Sequence, residues 1–205
     1  MSPGPHVLVG HTMGGHLVLC ALAEGKIDPN AVVLSAPMLG LNSSVLPNWL
    51  MQAAARAMTL LGDPRRPAWK WSEQPGEVPA AREQLLTHDP ARYADELFWR
   101  EVRPELVMGP GSWGWVERSY ASMRKLETPG RLEAIKQPVL ILASDTDQLV
   151  SFAAIARAVQ RLPKGELVRF GEEARHEILR EEDGVRGMAL AAIDDFLDRS
   201  APMAN

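Results

Sequence analysis

The sequence predicts an α/β fold: a parallel sheet with helices on both faces, interrupted by a helical insertion. Three observations carry that prediction. Short continuous apolar runs alternate with helical periodicity at both ends of the chain, the pattern of a sheet covered on both faces. Between them, from about residue 40 to 130, no convincing strand occurs, prolines are frequent and all six tryptophans gather. Each of three apolar runs is followed by a loop rich in residues that do chemistry, and ligands collect at the carboxyl ends of parallel strands. The expected organisation is a core of residues 1–39 and 131–205 with a helical cap or lid over 40–130.

The elements follow in order. His6-Val7-Leu8-Val9-Gly10 reads as a buried strand closed by glycine. Residues 15–24 are apolar nearly all round, and Gly25 supplies a helix stop. Ala31-Val32-Val33-Leu34-Ser35 is a second strand, ended by Pro37. Within the insertion, helices are expected at Asn48–Leu61, Ala91–Arg100 and Ser112–Lys125. They are joined by turn chemistry at Gly62-Asp63-Pro64, Pro75-Gly76 and Met108-Gly109-Pro110-Gly111. Val139–Ala143 forms a third strand. A helix carrying Phe152, Ile155, Ala156, Val159 and Leu162 on one face comes next. Glu166–Phe170 alternates more than the other strands and belongs nearer an edge. The last helix presents Val185, Met188, Ala192, Phe196 and Leu197 as a stripe.

Composition narrows the function. The 205 residues include 22 basic and 26 acidic side chains, a net charge of −4. No basic cluster suits nucleic acid, whose affinity rests on phosphate neutralisation; Arg65-Arg66 has Asp63 beside it. The single cysteine, Cys20, excludes an internal disulfide and a cysteine-based zinc site, and its apolar surroundings predict a packed, unreactive thiol. No run of about 18 apolar residues is present, and Met1-Ser2-Pro3-Gly4-Pro5 lacks the basic start of a leader. A cytoplasmic protein is expected.

Three loops hold candidate chemistry. Gly10-His11-Thr12-Met13-Gly14 lies between the first strand and its helix. That is where a nucleophile elbow of the Gly-x-Ser-x-Gly kind projects its central side chain, with flanking glycines easing the bend. A tight turn with Thr12 capping the helix is the plainer alternative. A phosphate-binding loop is excluded because no lysine is near, and a dinucleotide fingerprint because position 12 is not glycine. His11 and His16 do not share a face and are expected to be neutral rather than metal ligands. Ser144-Asp145-Thr146-Asp147 follows the third strand, and Glu173-Ala174-Arg175-His176-Glu177 the fourth. Nucleophile, acid and histidine, each after a strand, match the chain order of the α/β-hydrolase triad.

The run from Pro5 to His16 resembles the elbow of lysophospholipase and monoacylglycerol-lipase type α/β-hydrolases, the serine aminopeptidase S33 group. Matching stretches are Val33-Leu34-Ser35-Ala36-Pro37-Met38, Leu86-Thr87-His88-Asp89-Pro90-Ala91-Arg92-Tyr93, Gly111-Ser112-Trp113-Gly114-Trp115 and Ala174-Arg175-His176-Glu177-Ile178-Leu179. The resemblance implies a triad of Thr12, Asp147 and His176, with Asp147 chosen because Gln148-Leu149-Val150 follows it and Asp145 as fallback. It implies one oxyanion-hole donor, the backbone N–H of Met13. It also implies a small-molecule acyl-ester substrate, a lysophospholipid or monoacylglycerol, without metal, organic cofactor or nucleic acid. An N-terminal peptide substrate ranks lower, since no acidic cluster for an amine is evident. Peripheral contact with membrane lipid and the oligomeric state are left open. The aromatic- and methionine-rich insertion either buries an acyl chain, each sequestered CH₂ contributing about 0.8 kcal/mol, or forms its own core.

The sequence departs from the family in two ways. Thr12 stands where the family has serine, adding a β-branch that stiffens χ1 at a position expected to hold positive φ. Only five residues precede the first strand, whereas the family begins well before its elbow. The expectation is a partial fold, truncated at its N-terminus, with a second oxyanion donor unsupplied and the edge of strand 6–10 exposed. Losing one donor costs about 10²–10³ in kcat. A catalytically impaired scaffold or interaction protein is therefore the alternative to an esterase.

Overall fold

A computed structural model describes residues 4–42, 48–68, 80–107 and 109–202. Four strands, β1 (Val7–His11), β2 (Ala31–Ser35), β3 (Val139–Ser144) and β4 (Gly165–Phe170), form a wholly parallel sheet in the order β1-β2-β3-β4. Seven α-helices accompany them among the described residues: α1 (Met13–Ala23), α2 (Asn48–Leu61), α3 (Ala80–Leu86), α4 (Pro90–Val102), α5 (Trp113–Glu127), α6 (Phe152–Arg161) and α7 (Asp183–Ser200). The register runs His11 to Ser35, Ser35 to Leu142 and Leu142 to Val168. The carboxyl ends of all four strands therefore open on one side, and the loops after β1, β3 and β4 share it.

The apolar runs of β2 and β3 are continuous because both faces are covered. Alternation decides which helix each residue meets. Val32, Leu34, Val139, Ile141 and Ala143 pack with Leu19 and Leu22 of α1, Met123 and Leu126 of α5, and Ile155 of α6. Ala31, Val33, Leu140 and Leu142 pack against Val185, Ala189 and Phe196 of α7. β4 is only half buried along most of its length, as an edge strand should be. β1 pairs with β2 alone among the described residues, and its Val9 is 64% exposed.

Local chemistry sets the helix ends. Asp89 caps α4 by accepting the Arg92 N–H at 3.0 Å with Pro90 in the first turn, and Ser112 caps α5 by accepting the Trp115 N–H at 3.1 Å. Gly25, at φ 63°, ends α1. The α2–α5 stretch lies between β2 and β3, with α2 packed on α5.

Several boundaries differ from expectation. β1 is shifted one residue to 7–11, since the His6 N–H goes to the Asn30 side chain at 2.8 Å while His11 pairs with Ser35. α1 starts at Met13 rather than Gly15, because the Thr12 carbonyl already accepts the His16 N–H at 3.2 Å. Helix α3 was not anticipated; its seven residues are too few for a clear apolar period. Met188 is 55% exposed; the buried stripe runs instead through Val185, Ala189, Ile193 and Phe196, and Met188, three residues after Val185, falls on the side of the helix away from Ala189 and Ile193. Trp113 and Trp115 pack partly buried on the core, while Trp49 and Trp99 are exposed. Trp69, Trp71, Met108 and the Pro75-Gly76 turn lie outside the described residues.

Phe196 is fully buried between α7 and the sheet. Phe196→Ala should cost about 3–5 kcal/mol, measured by urea denaturation. Leu61→Ala, at a residue 90% exposed, should stay within about 0.5 kcal/mol of the parent.

Candidate active site

The β1–α1 turn is built by close backbone approach. A Cβ on Gly10 would lie 2.8 Å from the Gly15 Cα, and one on Gly15 would lie 3.0 Å from the Pro37 Cβ. Gly14 has nothing within 4 Å of such an atom. The required glycines are thus Gly10 and Gly15, and the expectation that Gly14 relieves crowding is corrected. Strand, helix and the loop after β2 meet here with no room for a Cβ on Gly10 or Gly15.

That contact forces Thr12 to φ 44°, ψ −113°, outside both helix and strand conformations. For a β-branched residue such backbone costs on the order of 1–3 kcal/mol and persists only where its surroundings impose it. Three hydrogen bonds do so. The Thr12 N–H donates to the Ser35 carbonyl at 3.1 Å, and the Thr12 carbonyl accepts the N–H groups of His16 at 3.2 Å and Met38 at 2.9 Å. A second positive-φ residue, Ala36 at φ 43°, supports the same junction and donates its N–H to Leu142 at 2.8 Å. The Ser-Ala-Pro step after a buried strand was its only signal in the sequence.

Thr12 occupies the N-cap position of α1, yet its side chain makes no capping hydrogen bond. The helix-cap alternative therefore fails. Among the described residues its hydroxyl makes no hydrogen bond to His176 either. The Met13 N–H opens α1, where the first N–H groups have no intrahelical acceptor, and it points from the start of a helix whose positive dipole end favours developing negative charge.

Asp147 and His176 come together as a buried pair, with Nδ1 of His176 2.7 Å from Oδ2 of Asp147. A carboxylate only accepts, so the proton sits on Nδ1 and Nε2 is left as the basic nitrogen. The other oxygen of Asp147 accepts the N–H groups of Leu149 at 2.7 Å and Val150 at 3.1 Å. Asn42, which sequence reasoning missed, fixes this loop: its side-chain amide donates to the carbonyls of Asp147 at 2.8 Å and Val150 at 2.9 Å. Asp145, the fallback acid, is instead turned outward onto the Arg169 guanidinium, with Nε at 2.7 Å.

The elbow meets the histidine through His11, whose ring lies 4.8 Å from that of His176, tilted by 57°. His11 retains solvent-exposed surface, but crowding of its ring strips away water and, with His176 alongside, lowers its pKa from 6.5 to about 4. Its Nδ1 lies 3.1 Å from the Ser35 carbonyl, so this nitrogen bears the proton of a neutral ring.

His16 is remote from this chemistry. It is buried against α5, its Nε2 2.7 Å from the Ser122 hydroxyl, and burial lowers its pKa. Burial likewise raises the Cys20 thiol, which leans on the same ring at 3.4 Å. Among the described residues no group of three or more His, Cys, Asp or Glu side chains is arranged to hold a metal. No described helix is long and apolar enough to cross a membrane.

A strained turn between strand and buried helix, followed along the chain by an acid and a histidine at the carboxyl ends of parallel strands, defines an α/β-hydrolase. The family model for serine aminopeptidase S33 matches residues 2–183, and the chain belongs to that family. Lysophospholipase L2 of Escherichia coli K12 is 25% identical over 218 residues, an alignment covering all of this chain and 62% of that protein. The chain thus spans 62% of the length of the curated relatives it matches. Among solved structures, a soluble variant of monoglyceride lipase from Saccharomyces cerevisiae, bound to a substrate analogue, superposes with a TM-score of 0.72 at 20% identity, covering 96% of this chain and 62% of that one. Monoacylglycerol lipase from Paleococcus ferrophilus gives 0.68 at 21%, covering 95% and 68%. At these identities the two structures show the fold.

Two outcomes follow from the geometry. Gly10→Ala should push β1 off α1 and cost about 1–3 kcal/mol, whereas Gly14→Ala should be tolerated more readily; thermal unfolding of both variants measures the difference. His11 gives a pH dependence of defined sign. Above pH 6.5 its ring is neutral in the folded and unfolded chains alike. As pH falls, the unfolded chain takes up a proton that the folded ring refuses until about pH 4, so stability declines across that window and levels off below it. Urea denaturation between pH 7 and 4 should show a shallower decline for His11→Asn, and an unchanged slope would assign the decline to other groups.

Proposed function

We propose that the protein hydrolyses carboxylic esters, with a lysophospholipid or monoacylglycerol as substrate. Thr12 is the nucleophile, His176 the general base and then acid, and Asp147 the residue that orients His176. One observation carries this reading: Thr12 holds an elbow backbone while its hydroxyl caps nothing, and its neighbour His11 packs on a histidine already paired with a buried carboxylate.

The chemistry follows from that arrangement. Nε2 of His176 takes the hydroxyl proton as Thr12 attacks the ester carbonyl, forming a tetrahedral oxyanion. Asp147 stabilises the resulting imidazolium through Nδ1–H. The Met13 N–H supplies one oxyanion donor. The imidazolium then protonates the leaving alcohol, and water, deprotonated by the same ring, releases the acid. Substrate class is carried over from the lysophospholipase and the two glyceride lipases named above. We also propose that the stretch between β2 and β3 is a lid, an assignment favoured by the exposed apolar residues Phe98, Trp99, Val102 and Leu106, which offer surface to an acyl chain or lipid.

The test is initial-rate hydrolysis of a short p-nitrophenyl ester. His176→Ala and Asp147→Asn should abolish turnover, and Asp145→Asn should matter little. Thr12→Ser removes the methyl and should raise the rate 10-fold or more, about 1.4 kcal/mol of barrier. Equal rates for Thr12→Ala and an active parent would remove Thr12 from the mechanism. A folded Thr12→Ser protein without activity would favour a non-catalytic scaffold, the reading that the threonine and its lack of a hydrogen bond to His176 support.

A further inference from the structure

Glu181 is a fully buried carboxylate that the proposed chemistry does not use. Burying a carboxylate is costly unless donors surround it, and its donors come from two places in the chain. Oε1 accepts the N–H of Arg175, the residue before His176, at 2.7 Å. Oε2 accepts the N–H of His88 at 2.9 Å, and the ring Nδ1 of His88 lies 3.1 and 3.2 Å from the two oxygens.

Neighbouring bonds repeat the same connection. The Glu177 N–H donates to the Leu86 carbonyl at 2.9 Å, and the Arg175 guanidinium donates to the Thr87 carbonyl at 2.7 Å. The Thr87 hydroxyl donates to the Arg180 carbonyl at 2.7 Å. The α3–α4 turn and the loop carrying His176 are thereby tied face to face, with Glu181 as the charged centre of the contact. No other carboxylate among the described residues is as deeply buried.

We infer that Glu181 is a positioning residue for His176: it holds the peptide before the histidine against the α3–α4 turn and so sets the ring on Asp147. The inference rests on the reading of His176 as the base of the site. It requires a carboxylate in particular, because both oxygens face donors. An amide of the same shape would aim N–H groups at N–H groups on one side and lose that half of the clamp.

The experiment is proton NMR of the parent and of Glu181→Gln, following the downfield Nδ1–H resonance of His176, assigned by its loss in His176→Ala. This signal reports the His176–Asp147 hydrogen bond without needing turnover, so it stays readable if the esterase assay finds no activity. Glu181→Gln should leave far-UV circular dichroism native while the resonance moves upfield or is lost to solvent exchange. If the enzyme turns over, kcat should fall at least 10-fold with KM little changed. Glu181→Asp retains the charge but is one methylene too short to reach both Arg175 and His88. It should displace the resonance to a lesser degree, and it provides the test should the glutamine variant fail to fold. A folded variant of either kind whose His176 resonance keeps its position and exchange rate would overturn the inference.

Discussion

The site depends on a single steric condition, the close contact in which Gly10 and Gly15 meet each other and Gly15 meets the ring of Pro37. Because β1 and α1 can approach there, the chain reverses from strand to helix within one residue, and that residue is Thr12. The strain at φ 44° is imposed from outside, by Ser35 on one side and Met38 on the other. Both belong to β2 and the loop after it. The elbow is therefore a property of two strands and a helix packed together, and a change to any of the three contacts reaches Thr12 through its backbone.

Asp147 and His176 are placed by different means. The parallel register delivers their loops to the same side of the sheet, and side-chain hydrogen bonds then fix each loop. Asn42 spans from the loop after β2 to the acid loop, and the Ser151 N–H returns to the Gly40 carbonyl at 2.9 Å. The histidine loop is held from the other direction, by the α3–α4 turn. The helical stretch between β2 and β3 thus contacts the core at a point adjoining His176, through the hydrogen bonds between the α3–α4 turn and the 175–181 loop.

The parts of this arrangement legible in the sequence are those that repeat. Continuous apolar runs mark three of the strands and alternation marks β4, and the turn glycines locate the elbow. Asp147 was separated from Asp145 only by family resemblance; what distinguishes them physically, Arg169 facing one and His176 the other, is a long-range pairing that no local pattern reports. Asn42, Ala36 and Glu181 escaped for the same reason. Each acts on a partner distant in sequence or through a backbone angle, and a lone asparagine, alanine or glutamate in a loop carries no periodicity. Gly14 and Gly15 are adjacent, and only the packing shows which of them the bend requires.

Threonine in place of serine is best understood against that rigid backbone. In a deformable loop, an extra methyl could be absorbed by a small rotation of φ or ψ. Here both flanking peptides are hydrogen-bonded, and the glycine contact leaves no slack. The β-branch must be accommodated by χ1 alone, which in threonine has few options. Among the described residues the Thr12 hydroxyl makes no hydrogen bond to the α1 backbone or to His176. Under the proposed mechanism, restricted rotation about χ1 on a fixed backbone is the route by which the extra methyl of Thr12 acts on the site.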